Sequence, residues 1–192
     1  MIRHLSLFCL LLLVVPRLFC QNAAESQTVA VVRELTEMIR MRENEDSIRK
    51  VIGKLDIALW NAPSDTVLSI CRRLMELVDS NRNPSLTSDL YYMLNKAYAD
   101  KGLTGKSLEM LLNSFNLLSK HGLHFQSGYV LIDIGNRFYA SELYHISNSF
   151  YREAIYVFKK IGARLGTYTA TNNLGLCYRE MDNSDSALFY FR

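Results

Sequence analysis

Apolar residues recur at three- and four-residue steps from Ser26 onward. Val29, Val32, Leu35 and Ile39 form the first such stripe, with Arg33, Glu34, Glu37 and Arg40 on the other side. This is the pattern of an amphipathic helix of about four turns. Asn44 to Asp46 interrupts it. Ile48, Ile52, Leu55 and Leu59 make a second stripe, and Leu68, Cys71, Met75 and Val78 a third. The turn Asn61-Ala62-Pro63-Ser64-Asp65 separates the two, with Asp65 or Ser64 as the expected N-cap of the third helix. Ser80-Asn81-Arg82-Asn83-Pro84 stops it.

Beyond Pro84 the pattern becomes periodic on a longer scale. Leu94, Ile134 and Leu174 are forty residues apart. The same offset carries Tyr98 onto Phe138 and Tyr178, Ser107 onto Ser147 and Ala187, and Leu111 onto Tyr151 and Phe191. It also carries Leu118 onto Phe158 and Gly122 onto Gly162. Agreement in size class at so many columns marks an internal repeat. An apolar residue and an aromatic four positions later share one helix face. A small residue nine further on is where a second helix crosses, and a large residue four beyond fills the gap. Gly135 and Gly175, after the apolar position, let the partner helix approach closely. Each unit is therefore expected to be a helical hairpin that buries its faces only by stacking. The fold class is all-α, an α-α superhelix of stacked hairpins.

This pattern resembles the tetratricopeptide repeat. Asn173-Leu174-Gly175, Tyr178, Ala187 and Phe191 stand at that family's spacing, as do Ile134-Gly135, Phe138, Ser147, Tyr151 and Ala154. Leu94, Tyr98, Gly102, Ser107 and Leu111 make an earlier unit, which departs at Asn95, where glycine is usual and a looser contact is expected. The turn glycine of that unit gives way to Glu142 and Asp182 in the next two, and the family's proline between repeats is absent. A forty-residue period exceeds the family's commonest one and implies longer second helices or linkers. The organisation expected is a signal peptide at 1–22, an N-terminal helical region at 25–84 with a degenerate half-repeat, and repeats over 85–192 (about 88–127, 128–167 and 168–192). The last unit ends soon after Ala187 with no polar capping helix, so the natural protein is expected to continue past Arg192.

Composition narrows the class. The 192 residues are 49% hydrophobic and 21% charged with only 3 prolines, which excludes a disordered tail or a collagen-like rod. All 11 tyrosines lie at Tyr91 or later, whereas Trp60 is the sole aromatic between Glu25 and Thr87. The chain thus divides near Pro84-Ser85. At the front, Arg3 and His4 precede an apolar run from Leu5 to Val15, ended by Pro16 and Arg17. That run is too short to span a bilayer, which needs roughly 20 residues, and it fits an export signal with Ala23-Ala24 as a cleavage point. Leu18 and Phe19 before Cys20 break the small-residue pattern of a bacterial lipobox. Formal net charge is +3. Removing Arg3 and Arg17 with the signal leaves the exported part nearly neutral, which argues against a nucleic-acid ligand. Cys71 and Cys177 read as buried thiols unless their segments touch to form a disulfide.

No GxGxxG, Walker loop, HExxH or GxSxG is present. His121 and His124 lack a nearby carboxylate or cysteine to complete a metal site, and His145 follows Tyr144 in another turn. No cofactor and no catalysis are expected. In the family resembled, first helices line a concave groove. That resemblance places Tyr92, Lys96, Tyr129, Asn136, Tyr139, Asn172 and Arg179 along it, and implies a protein or peptide ligand there. Tyrosines beside Asn and Arg suit such recognition. The lysine and arginine clamp that some members use on carboxyl tails is not matched. The expectation is an exported scaffold of the periplasm or cell envelope. It would meet a membrane only through an uncleaved signal, a lipid anchor or a following segment. The alternative is the sensory ectodomain of a longer bacterial signal-transduction protein, a histidine kinase or transcriptional regulator.

Overall fold

The structure is a computed structural model that describes residues 26–192. The expected signal peptide, with Cys9 and Cys20, lies outside the described residues. Every regular element among the described residues is a helix, and the chain divides between Leu77 and Val78 into two units.

The first unit holds α1 (26–40), α2 (Glu45–Leu59) and α3 (Ser64–Met75). The expected break near Asn44 falls at 41–44, and Asn44 caps α2, which already holds Glu45 and Asp46. The Asn44 Oδ1 accepts the Ser47 N–H at 2.9 Å, and Glu45 and Asp46 stand in the first turn, where the helix dipole favours carboxylates. The α1 stripe is rotated from the expected one. Val31, Leu35 and Ile39 are buried, while Val29 is 63% exposed. In α3 the N-cap is Pro63 rather than Ser64 or Asp65, and no side chain caps the helix. Leu74 rather than Met75 closes its buried face beside Val67, Leu68 and Cys71. Cys71 forms no disulfide, and burial, then the nearby Asp56 charge, pushes its thiol pKa up to about 12.

The second unit is built from helices of one length: α4 (Pro84–Asp100), α5 (Thr104–Lys120), α6 (His124–Ala140), α7 (Tyr144–Lys160) and α8 (Arg164–Glu180), followed by α9 (Ser184–Phe191). The expected excess in second helices or linkers is corrected here. The five full helices each have 17 residues, and each connector spans three, so first and second helices share the long period equally.

All five connectors turn in the same way. Gly102, Gly122, Glu142, Gly162 and Asp182 adopt positive φ between 56° and 71°. Each donates its N–H to the carbonyl three residues back, as Gly102 does to Ala99 and Glu142 to Tyr139. The next residue donates to the carbonyl five back, as Leu103 does to Tyr98 and Leu143 to Phe138, at 2.9 Å in every connector. This pair of bonds satisfies the orphan carbonyls at a helix end and reverses the chain. Glycine adopts that backbone without strain, and Glu142 and Asp182 do so at a cost.

Large side chains of second helices press into first helices where side chains are missing. A Cβ on Gly135 would lie 2.5 Å from the Tyr151 ring, and one on Gly128 or Gly166 within 2.6 Å of Phe158. Phe158 thus sits between α6 of its own hairpin and α8 of the next. A Cβ on Gly175 would lie 2.6 Å from the Phe191 ring of α9. Around these contacts lie Leu131, Ile132, Ala154, Ala170, Leu174 and Cys177 as one cluster, and Leu111, Leu118, Val130 and Ile134 as a second.

Candidate functional site

The first helices of the hairpins, α4, α6 and α8, are joined by polar side chains. At position 95, Asn95 stands where the next hairpins have glycine. It is buried, and its Oδ1 accepts from Ser107 Oγ of α5 at 2.7 Å and from Arg137 Nη2 of α6 at 3.2 Å. The contact expected to be looser instead carries two hydrogen bonds to the Asn95 oxygen. One hairpin further, Tyr151 passes its ring across Gly135 and delivers its hydroxyl to Asn136 Oδ1 at 2.8 Å. The same Asn136 oxygen accepts from Asn173 Nδ2 of α8 at 3.2 Å. Burial raises the Tyr151 phenol to about 12, so it stays a donor at any ordinary pH.

Asp133 lies one turn before Arg137. Burial raises its carboxyl to about 6, although the Arg137 charge pulls it back down. Further along α6, burial and then the nearby Glu180 charge raise the Tyr139 phenol, while the Arg179 charge pulls it back down. Arg179 is tied to Glu180 by Nη2 at 2.8 Å and Nε at 3.1 Å, which lowers the Glu180 carboxyl. The Tyr139 ring also meets Tyr144 edge-on at 5.3 Å.

The seven sequence-selected residues fall in different settings. Asn136 links α6 to α8 through Asn173, Arg179 is paired with Glu180 on α8, and Tyr139 of α6 lies within reach of their charges. Tyr129 packs edge-on against Phe158 at 5.0 Å and Phe125 at 5.2 Å, so its ring is half committed to the core. Tyr92 is exposed and Lys96 half-buried on α4, and Asn172 is half-buried on α8. The α6–α8 amide bond uses Asn173, its neighbour. Asn95, Asp133, Arg137, Asn173 and Glu180 are the members the sequence reasoning left out. The forty-residue register held a signal for one of them, because Asn95 aligns with two glycines. For Asp133, aligned with Met93 and Asn173, the sequence held none.

Elsewhere in this unit, Arg152 of α7 donates to the hydroxyls of Tyr178 at 2.7 Å and Tyr190 at 3.2 Å, and these two rings stack at 5.4 Å. Phe138 and Phe150 repeat the stack one hairpin earlier, also at 5.4 Å. Cys177 is free, and its thiol donates to Ser147 Oγ at 3.4 Å. Among the described residues no three His, Cys, Asp or Glu side chains converge to hold a metal ion, and no helix is long and apolar enough to cross a membrane.

No family model and no curated protein matches the sequence. Solved structures do. BtubC from P. vanneervenii superposes with a TM-score of 0.70 at 18% identity, covering 88% of this chain and 70% of that one. Tetratricopeptide-like repeats of a kinesin light chain from Podospora anserina give 0.62 at 13% identity, covering 92% and 88%. The fold is that of the tetratricopeptide-repeat proteins. PlcR of Bacillus thuringiensis, solved with the peptide PapR7 and DNA, gives 0.54 at 14% identity over 90% of this chain and 66% of that one. In tetratricopeptide terms, α4, α6 and α8 are first helices, and the polar row lies on the helices that line the groove in that architecture.

Proposed function

We propose that this chain is an exported, non-catalytic scaffold that binds a peptide or protein segment along its row of first helices. One observation carries the reading. Polar side chains of three successive first helices are fixed by bonds between hairpins, Asn95 with Arg137 and Asn136 with Asn173. Side chains held in place before binding cost less entropy to order when a ligand arrives. Tyrosine and arginine beside amides are the residue types that dominate such interfaces. The PlcR structure, which contains a peptide, lends the architecture a precedent. Export rests on the charged start, short apolar run and polar sequel of residues 1–22.

The test places a photo-crosslinking residue at Asn172 and compares the parent with the Tyr139→Ala plus Arg179→Ala variant. Loss of the crosslinked species with an unchanged helical spectrum supports the groove. Retention of every crosslinked species overturns it.

A further inference from the structure

One end of the second unit departs from the charge balance of the rest. No Asp or Glu occurs between Glu109 and Asp133, nor between Glu153 and Glu180. These stretches contain the connectors 121–123 and 161–163 with the flanking halves of α5 to α8. Lys120, His124, Lys159, Lys160 and Arg164 are exposed there. Lys120 donates only to the uncharged Asn81 amide at 3.0 Å, and none of the five forms an ion pair. The connectors at the opposite end carry both signs, with Asp100, Glu142, Glu180, Asp182 and Asp185 beside Lys101, Lys106, Arg137 and Arg179.

Helix electrostatics accounts for only part of this. Lys120, Lys159 and Lys160 close α5 and α7, where cations suit the carbonyl end of the dipole. Arg164 does the reverse. It opens α8, which has no acid in its first turn and no side-chain cap. A positive side chain at an uncapped helix start works against local stability, and such departures cluster where a function is served.

The same end is apolar between its charges. Phe125 and Leu165 hold equivalent positions in successive hairpins and are 52% and 71% exposed. Phe125 meets the buried Phe158 ring edge-on at 6.2 Å, and a Cβ on Gly166, the neighbour of Leu165, would lie 2.5 Å from the same ring. Ile161 and Tyr168 are exposed nearby in sequence. Exposed aromatic and aliphatic groups among unneutralised cations are complementary to a ligand with the opposite charge and its own apolar anchors.

We propose that this end is a second docking face, separate from the polar row, for an acidic protein segment that carries aromatic or aliphatic anchors. The acidic residues meet Lys159, Lys160 and Arg164, and the anchors pack against Phe125 and Leu165.

The probe is a labelled synthetic peptide of glutamates and aspartates interspersed with phenylalanine, followed by fluorescence polarisation with the whole protein. The expected result is binding that weakens at high salt and falls about tenfold or more in Lys159→Glu/Lys160→Glu/Arg164→Glu and in Phe125→Ala/Leu165→Ala. Amide replacement of the acids, or alanine replacement of the phenylalanines, produces the same loss. Crosslinking through Asn172 is unaffected by the charge-reversed variant, which separates this face from the groove reading. All five positions are exposed, and an unchanged helical spectrum confirms that each variant folds. Undiminished peptide binding in both variants overturns the proposal. So does a preference for anionic lipid vesicles or single-stranded DNA over the peptide.

Discussion

The hairpins α4–α5 and α6–α7 share helix length, connector and cap, yet they fill their crossings in opposite ways. In α6–α7 the second helix supplies the bulk. Tyr151 and Phe158 press onto Gly135 and Gly128. In α4–α5 the first helix supplies more of it and the second helix less. Asn95 replaces the glycine, Leu111 replaces the tyrosine, and Ser107 bonds the amide. At the other crossing Ser88 and Ser114 share a buried hydrogen bond at 2.8 Å where α6–α7 has Gly128 and Ala154, and Leu118 stands in for Phe158. Volume moves from one helix to the other while the backbone stays in place. Close packing constrains the sum of facing side chains more than either one.

The sharpest way to break this comparison is at Gly135. Gly135→Leu drives a side chain into a ring that is 1% exposed and held by its hydroxyl bond, and should cost about 2–3 kcal/mol in urea denaturation. Gly175→Leu should cost less, because Phe191 is 45% exposed and can swing away. Gly135→Asn alone should also destabilise. Adding Tyr151→Leu transplants the pair from the first hairpin and should recover at least about 1 kcal/mol of that loss. Strict additivity of the two changes would refute the exchange of volume.

A second contrast sets Asp133 against Met93, its apolar equivalent. The folded carboxyl titrates near 6, above its ordinary value of 3.8. The group therefore favours the folded state most below its unfolded pKa, and that advantage disappears as pH rises through about 6. Asp133→Asn should stabilise the protein by about 2 kcal/mol at pH 7 and flatten its stability between pH 4 and 6. A parallel pH profile for parent and variant would place the carboxyl in water.

The smallest effect compares Glu142 with Gly102. Glu142→Gly relieves a positive φ of 60° and should raise stability by about 0.5–1 kcal/mol, read as a shift in melting temperature. Destabilisation would mean that the Glu142 side chain holds the connector.

The architecture was legible in the sequence because its period is carried by bulk at fixed spacing. Leu94, Ile134 and Leu174 sit in equivalent buried places on α4, α6 and α8. The lead helices were legible in kind but less so in phase. Val29 and Val31 are equally apolar, and only packing decides which one turns inward. The polar row was partly hidden for another reason. Whether Asn172 or Asn173 bridges to Asn136 depends on a rotation smaller than one helical step, which hydrophobic periodicity does not resolve. Asp133 carried no signal because a half-buried carboxylate looks like any other acid until its surroundings are known.

The uniform connectors carry a consequence for how such a chain can grow. A helix and its turn occupy twenty residues, so duplicating a forty-residue block at any turn adds a complete hairpin whose two ends match the neighbours already there. A twenty-residue block would instead exchange the roles of inner and outer helices for everything downstream. Lengthening by whole hairpins, with polar and apolar fillings chosen independently in each copy, lets the surface of the first helices diversify while the turns stay unchanged.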